Sequence, residues 1–449
     1  MTERVIVRRG AYYDSVTLML VSRAAAGEGE DVSVGMATPL NLELLADQGF
    51  TVEDGLGPND LVIAVRAADG EAIEAAVAAV DRELAAKGAP STAAERPAAR
   101  SLAAAARRDD ELSVAFLSIP GDHVAHEAAA ALEAGLHVFC FSDGVALDVE
   151  VALKRRALER GLLFMGADCG TAIIDGVALG FANSVERGPV GIVGASGTGT
   201  QEVCCLLDAA GIGVSHAIGV GGRDLSRDVG GLMLLRGLEL LGGDEDTRAI
   251  VAISKPPDPE VAAAVEAAAA AAGKPVVLGF DRTLEEVAAR AAELVGGSPA
   301  VFGEILRRPP AAGEVRGLYS GGTLCGEAER IVGAGRFIDF GADEYTEGRA
   351  HPMIDPSLRL EHLAAAARDP AVRVLLLDVV LGYGAHPDPA AELAAAIEDV
   401  DKHVIVALCG AAADPQGLDD QRARLEAAGA VVTRSNAHAA RLAKEASGG

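Results

Sequence analysis

Apolar, β-branched runs alternate with alanine-rich stretches from one end of this chain to the other. Continuous apolar runs of that kind make strands buried on both faces, and the helical stretches between them return the chain to the same sheet edge. The pattern predicts an α/β fold with parallel sheets covered by helices. Strands are predicted at 4–8, 61–65, 113–119, 136–141, 162–166, 190–194, 216–220, 249–254, 275–280, 315–320, 337–341, 372–380 and 404–409. That is too many for one small sheet, and 449 residues at about 100 to 200 per domain predict about three domains.

Charge excludes two classes of partner. With 66 acidic against 39 basic side chains the formal charge is −27, which repels a polyanion, and 3% aromatic residues with no Trp offer few platforms for base stacking. The longest alanine run, 261-VAAAVEAAAAAAG-273, is interrupted by Glu266 and is too short to span a bilayer. The charged N-terminus MTERVIVRRG lacks an apolar export stretch, so a cytoplasmic location is expected. Six cysteines, at 140, 169, 204, 205, 325 and 409, form no CxxC and no zinc-like spacing with the nine histidines. Reduced thiols and no metal site are expected.

Two segments read as connectors. Residues 88–110 are polar and charge-dense and predict an inserted arm, and residues 296–313 carry Gly-Gly, Pro-Pro and Gly and predict a domain boundary. On either side of that boundary the chain repeats itself. The stretch 191-GIVGASGTGTQE-202 has a counterpart in 317-GLYSGGTLCGEAE-329, and each copy continues through a helix, a strand, an amphipathic helix and a buried strand. Two copies of one flavodoxin-like domain are predicted.

The sharpest motif is 194-GASGTGTQE-202, a small-residue turn after a strand and before a helix. Unshielded backbone N–H groups and the positive end of the helix dipole make such a turn a site for phosphate or carboxylate, and Ser196, Gly197, Thr198 and Gly199 lie in it. An N-capped helix with a glycine turn is the plain alternative. The repeated turn, Ser320, Gly321, Gly322 and Thr323, suggests that two helix N-termini point at one anion. A third turn of this kind, 381-LGYGAHPDP-389, is explained by Asp388 and Pro389 as an ordinary helix start. The loop 221-GGRDLSRDVGG-231 carries Arg223 and Arg227, and 348-GRAHPMIDP-356 carries Arg349 and His351 at the matching place in the second copy. Arginines at strand ends suit anion recognition, and His351 suits acid/base work. Lys255 follows a buried strand at the carboxyl edge of the sheet, where α/β ligands sit. The chain has no GxGxxG after its first strand, no Walker A turn, no HExxH and no GxSxG elbow.

In succession, 113-SVAFLSIPGDHVAHEAAAALEAGLHVFCFSDGVALD-148, 162-LLFMGADCGTAI-173 and 190-VGIVGASGTGTQE-202 resemble the α subunit of succinyl-CoA synthetase. With GAYYDSVTLM, ATPLN, GGRDLSRDVGG, ISKPP, LYSGGTL and GRAHPMIDP added, almost the whole chain resembles the FdrA family of acyl-CoA-synthetase-like proteins. The resemblance implies a CoA-binding-type Rossmann domain at 1–186, a first succinyl-CoA-synthetase-like flavodoxin domain at 187–296, a linker at 297–313 and a second such domain at 314–449. It implies CoA along Ile119, Pro120, Ser142 and Asp143, a thioester region at Asp168 and Cys169, and phosphate at Ser196, Gly197 and Thr198.

The chain departs from the synthetase where the phosphoryl carrier should be. After 275-PVVLGF-280 it runs DRTLEEVAARAAEL without a histidine, Ser254-Lys255 stands where a glutamate would support that histidine, and no ATP-grasp domain is present. The FdrA resemblance implies a subunit of oxamate carbamoyltransferase. That enzyme converts oxalurate and phosphate into oxamate and carbamoyl phosphate in allantoin catabolism, with two companion subunits. The alternatives are an ADP-forming acyl-CoA synthetase subunit that needs an ATP-grasp partner, and a non-catalytic scaffold.

Overall fold

The computed structural model describes residues 2–11, 13, 15–25, 31–53, 55–88, 99–346 and 348–448. It divides into two compact units, Met1–Ala98 with Phe340–Pro356, and Ala99–Asp339 with Ser357–Gly449.

The first unit is a three-stranded antiparallel sheet of β1 (Thr2–Arg8), β2 (Asp31–Met36) and β3 (Leu61–Ala67) in the order β1-β3-β2. Helices Ser15–Ala25 and Gly70–Gly88 pack with one face through Leu18, Val21, Ile63, Val65, Ile73 and Val80. Ala37, Leu45 and Phe50 cover Val62 and Ala64 on the other. This corrects the expectation of a single parallel domain over 1–186. Helices cover both faces of β3, so it reads as an unbroken apolar run, and that pattern reports burial rather than strand direction. Thr38 caps the helix Pro39–Asp47, and Asn41 Nδ2 donates to the carbonyl of Gly348 at 2.7 Å, which ties in the 340–356 segment. Of the predicted arm 88–110, residues 89–98 lie outside the described residues, as do Tyr12 and Asp14 of the GAYYDS motif; the helix Leu102–Ala106, capped by Ser101, is described.

The second unit holds three sheets. The strands β4 (Val114–Leu117), β5 (His137–Cys140) and β6 (Phe164–Met165) form a parallel sheet. Next come β7 (Thr171–Ile174), β8 (Val177–Gly180), β9 (Arg187–Gly194), β10 (Val214–Gly219), β11 (Ala249–Ile253) and β12 (Val276–Leu278), in the order β12-β11-β9-β10-β7-β8. The last sheet, from β13 (Glu314–Tyr319), β14 (Arg336–Asp339), β15 (Val372–Val380), β16 (His403–Cys409) and β17 (Val431–Thr433), runs β14-β13-β15-β16-β17. Taken from its second strand outward, the first copy reads β10-β9-β11-β12 and the second β14-β13-β15-β16. The internal repeat is therefore a repeat of topology, with the flavodoxin-like strand order.

The hairpin β7–β8 was not among the predicted strands, although its signal is in the sequence. Asp175 and Gly176 stand between apolar runs, and both take positive φ, 52° and 80°, as a two-residue hairpin turn requires. The hairpin pairs with β10, so residues 171–180 extend the first flavodoxin-like sheet and do not join β4–β6. Gly176 has open space where a Cβ would stand, so Gly176→Ala carries only the conformational cost of a left-handed non-glycine. A loss of about 1 kcal/mol is expected in urea unfolding, with the spectrum of the folded protein unchanged.

Candidate functional site

The two small-residue turns of the repeat face one another. Ser196 is the N-cap of the helix Gly197–Ala209, where its hydroxyl accepts the Gly199 N–H at 3.0 Å, and its Oγ lies 2.6 Å from Thr323 Oγ1 in the first turn of the helix Gly322–Val332. The fit has no room for side chains: a Cβ on Gly199 would stand 2.8 Å from Ser196 Oγ, and one on Gly321 would stand 2.7 Å from Thr198 Oγ1. Lys255 reaches the same place. A Cβ on Gly322 would be 3.4 Å from its Nζ and 2.3 Å from Asp339 Oδ2. Lys255 makes no ion pair among the described residues and is exposed. The structure thus brings together Ser196, Gly197, Thr198, Gly199, Lys255, Gly321, Gly322 and Thr323.

The two turns are not equivalent. In the second copy the buried Asp378 accepts the N–H of Ser320 at 2.8 Å, the N–H of Gly321 at 3.0 Å and the Ser320 hydroxyl at 2.9 Å, while Arg359 Nη1 donates to it at 2.7 Å. Burial pushes the Asp378 carboxyl up, and Arg359 followed by the Ser320 and Gly321 donors opposes that. Ser320 and Gly321, expected to bind an external anion, are occupied by an internal one. The first copy has no such carboxylate. Ladder pairing sets Val193 beside Ala252 and Leu318 beside Leu377, so Asp378, one step further, takes the place that Ile253 takes in the first copy, where a Cβ on Gly199 would stand 3.3 Å from Ile253 Cγ2. Among the described residues the Gly197 and Thr198 amides are therefore left without such a carboxylate, beside Thr323 and Lys255.

Asp378 and Asp339 were missed in the sequence, and for Asp378 a signal existed: it is the one acid in the otherwise apolar strand end 374-VLLLDVV-380.

The arginines do other work. Glu150 and Lys154 on the helix Leu147–Glu159 and Asp224 in the 221–231 loop are fully buried, with Lys154 Nζ 2.8 Å from Glu150 Oε1 and 2.7 Å from Asp224 Oδ1. Arg223 closes the cluster at 2.7 Å from Glu150 Oε2 and donates to the Val145 carbonyl at 2.8 Å. Asp224 in turn accepts the Leu234 N–H at 2.9 Å at the start of the helix Leu232–Gly243. The loop is pinned by these charges, and Arg223 is spent on Glu150. Arg227 pairs with Glu260 at 3.1 Å on the surface. Arg349 and His351 belong to the first unit, where His351 Nδ1 accepts the Met353 N–H at 3.2 Å.

The residues matched to CoA by resemblance do meet. The Ile119 N–H donates to Ser142 Oγ at 2.9 Å, and the Asp168 N–H donates to the Ser142 carbonyl at 2.9 Å. Gly121, after Pro120, approaches the Asp143 and Gly144 carbonyls too closely for a Cβ. The following loop reaches the anion turn, since a Cβ on Gly197 would lie 3.2 Å from Thr171 Oγ1. Exposed Asp143 and Asp168 give this edge the wrong charge for a pyrophosphate. Cys169 is buried at this edge, and burial pushes its thiol up to about 12, as it does for Cys140. Neither is a nucleophile at neutral pH.

These features define an acyl-CoA-synthetase-like α/β protein, and comparison with known proteins agrees. Residues 1–100 match the family described as AllF, heavy metal-associated domain; residues 185–280 match CoA binding domain, and residues 318–446 match CoA-ligase. The uncharacterized protein YahF of Escherichia coli is 36% identical, over 99% of this chain and 98% of that one. The chain belongs to the YahF family, built from an AllF-type N-terminal domain, a CoA-binding domain and a CoA-ligase domain. The ADP-forming sulfoacetate-CoA ligase subunit SauD of Bilophila wadsworthia is 30% identical over 51% of this chain and 73% of its own length. A succinate–CoA ligase α subunit of Archaeoglobus fulgidus is 33% identical over 28% of this chain, which spans only 43% of that relative. Among solved structures, the dinucleotide-forming acetyl-coenzyme A synthetase 1 of Ca. Korarchaeum cryptofilum with phosphate and ADP is 17% identical, covers 75% of this chain and 82% of its own, and has a TM-score of 0.32, too low to bear on the site.

The heavy-metal name does not fit this chain. Residues 1–100 contain neither Cys nor His, so thiolate and imidazole ligands for a heavy metal are missing there, and no group of three His, Cys, Asp or Glu side chains placed to hold a metal occurs among the described residues. No described helix is long and apolar enough to cross a membrane.

Two outcomes follow from this geometry. Lys154→Met strands Glu150 and Asp224 as buried carboxylates, and a loss of about 3–5 kcal/mol is expected in chemical denaturation, far beyond that of a surface lysine. Cys140 and Cys169 are expected to stay unlabelled by iodoacetamide in the folded protein at pH 8, where on the order of one in ten thousand such thiols is ionised, and to label fully once unfolded.

Proposed function

We propose that this protein is the subunit of a phosphate-dependent acyl-transfer enzyme that holds the phosphate at the Gly197 and Thr198 amides, acting in the cytoplasm with companion subunits. The observation that carries the reading is the 2.6 Å approach of Ser196 Oγ to Thr323 Oγ1, which aims two helix N-termini at one place beside Lys255. One of those termini is already neutralised by Asp378, so a single small anion completes the arrangement.

The reaction that suits these groups is carbamoyl transfer from oxalurate. A phosphate oxygen attacks the carbamoyl carbon, the C–N bond to oxamate breaks, and the proton carried by the phosphate passes to the departing nitrogen. Charge builds on the carbamoyl oxygen and shifts across the phosphate during attack. Backbone N–H groups, the Thr198 and Thr323 hydroxyls and the Lys255 ammonium meet that charge in fixed positions and need little reorganisation. The chain has no histidine carrier after β12, consistent with a reaction in which phosphate is the direct acceptor.

The second reading is a CoA ligase subunit acting with an ATP-grasp partner, and it is favoured by the ADP-forming ligase relatives. CoA, when bound, supplies a thiol as acyl acceptor. Exposed Asp143 and Asp168 disfavour phosphates at their own edge, so its uncharged arm would lie along Ile119, Pro120 and Ser142, with its phosphates at the Gly197 and Thr198 amides and Lys255.

Reconstitution with the companion subunits separates the two. Carbamoyl phosphate is expected from oxalurate and phosphate without nucleotide or CoA, and Lys255→Ala is expected to lower kcat/KM for phosphate by about 10–100-fold, the loss of one charge-assisted contact. Acyl-CoA formation that requires a nucleotide, with a phosphohistidine lost in His351→Ala, would establish the ligase instead. Full turnover in variants of Ser196 and Lys255 would leave only a scaffold.

A further inference from the structure

Glu202 and Glu327 occupy the same place in the two copies of the repeat, at the ends of GTGTQE and GTLCGE, and both are buried, at 1% and 2% exposure. Each lies on a helix whose N-terminus forms the anion site, and each reaches into the other copy. Glu202 Oε1 accepts the N–H of Asn436 at 2.8 Å, the first residue of the closing helix Asn436–Ala446 of the second copy. Glu327 Oε1 accepts the N–H of Leu284 at 2.7 Å, the first residue of the closing helix Leu284–Leu294 of the first copy. The helix that presents one half of the anion site thus caps the last helix of the opposite domain, and the arrangement is reciprocal. Asn436 joins the two acids, since its Nδ2 donates to Glu327 Oε2 at 2.7 Å and to the Leu324 carbonyl at 3.0 Å.

Resting on the phosphate site proposed above, we propose that Glu202 and Glu327 are positioning residues that hold the two anion-facing helix N-termini at their working separation by capping each other's domains. An acid oxygen at a helix start accepts an N–H that has no partner within the helix, so each cap resists sliding of one domain along the other. The two acids differ in one respect. Both oxygens of Glu327 accept N–H groups, whereas Glu202 Oε2 is buried and accepts none, the Cys409 thiol being the other polar group against this carboxyl. Burial pushes the Glu202 carboxyl up to about 8, so near neutral pH it carries a proton and an amide imitates it. At Glu327 an amide would turn an NH2 group against either the Leu284 N–H or Asn436 Nδ2.

Disulfide trapping reads the separation directly and needs no ligand. In a full-length chain carrying Ser196→Cys and Thr323→Cys, mild oxidation is expected to join the two new thiols rapidly, the native cysteines being buried. Adding Glu327→Gln is expected to slow trapping at least tenfold and to speed amide exchange at both Leu284 and Asn436, in protein that remains folded by circular dichroism. Glu202→Gln is expected to trap at the parent rate and Glu202→Ala to resemble Glu327→Gln. In the otherwise native chain, Glu327→Gln is expected to weaken binding of inorganic phosphate, measured by calorimetry, about tenfold. Unchanged trapping in Glu327→Gln, or equal slowing by Glu202→Gln, would overturn the proposal. A native chain that binds no phosphate would remove the proposed function, and trapping alone would then decide whether the two acids set the separation.

Discussion

Two helices whose positive ends meet cannot sit together without negative charge between them, and the rest of the second unit is arranged around that constraint. In the second copy the protein supplies the charge itself. Asp378, on a buried strand and held by Arg359, occupies the Ser320 and Gly321 amides. In the first copy the corresponding strand position is Ile253, and no carboxylate accepts the Gly197 and Thr198 amides among the described residues. The two copies of the duplicated domain thus differ at a single strand position, an acid in one and an isoleucine in the other.

The same constraint reconciles the proposed anion site with a chain charge of −27. The bulk acidity does not reach the site, because backbone amides, hydroxyls and one lysine act at contact distance while the surface charges are screened within about 10 Å at 0.1 M salt. Most arginines in the neighbourhood serve structure. Arg223 is drawn into the buried Glu150–Lys154–Asp224 cluster and Arg359 into the Asp378 cage. Arginine at a strand end is a poor guide to ligand contact where buried acids compete for it.

Much of this was legible in the chain before any coordinates. The turn at 194–202, its repeat at 320–327 and Lys255 are contiguous motifs, and their chemistry follows from small residues at helix starts. Asp378 was legible as well, as a lone acid in an apolar strand, and so was the Asp175–Gly176 hairpin. The N-terminal unit misled because β3 is covered by helices on both faces, and the alternation that marks an antiparallel strand is erased when neither face meets water.

By itself the sequence determined the α/β class, the duplication, the family and the turns able to hold an anion, because each depends on periodicity or on residues adjacent in the chain. Only the tertiary structure decided which turn is filled from within, which cations are already paired, and that Glu202 and Glu327 each cap the other domain. Those outcomes depend on distances between residues far apart in the chain, 43 positions for Glu327 and Leu284, 58 for Asp378 and Ser320 and 234 for Glu202 and Asn436, where hydrogen bonds and buried charge choose partners by geometry and no local pattern records the choice.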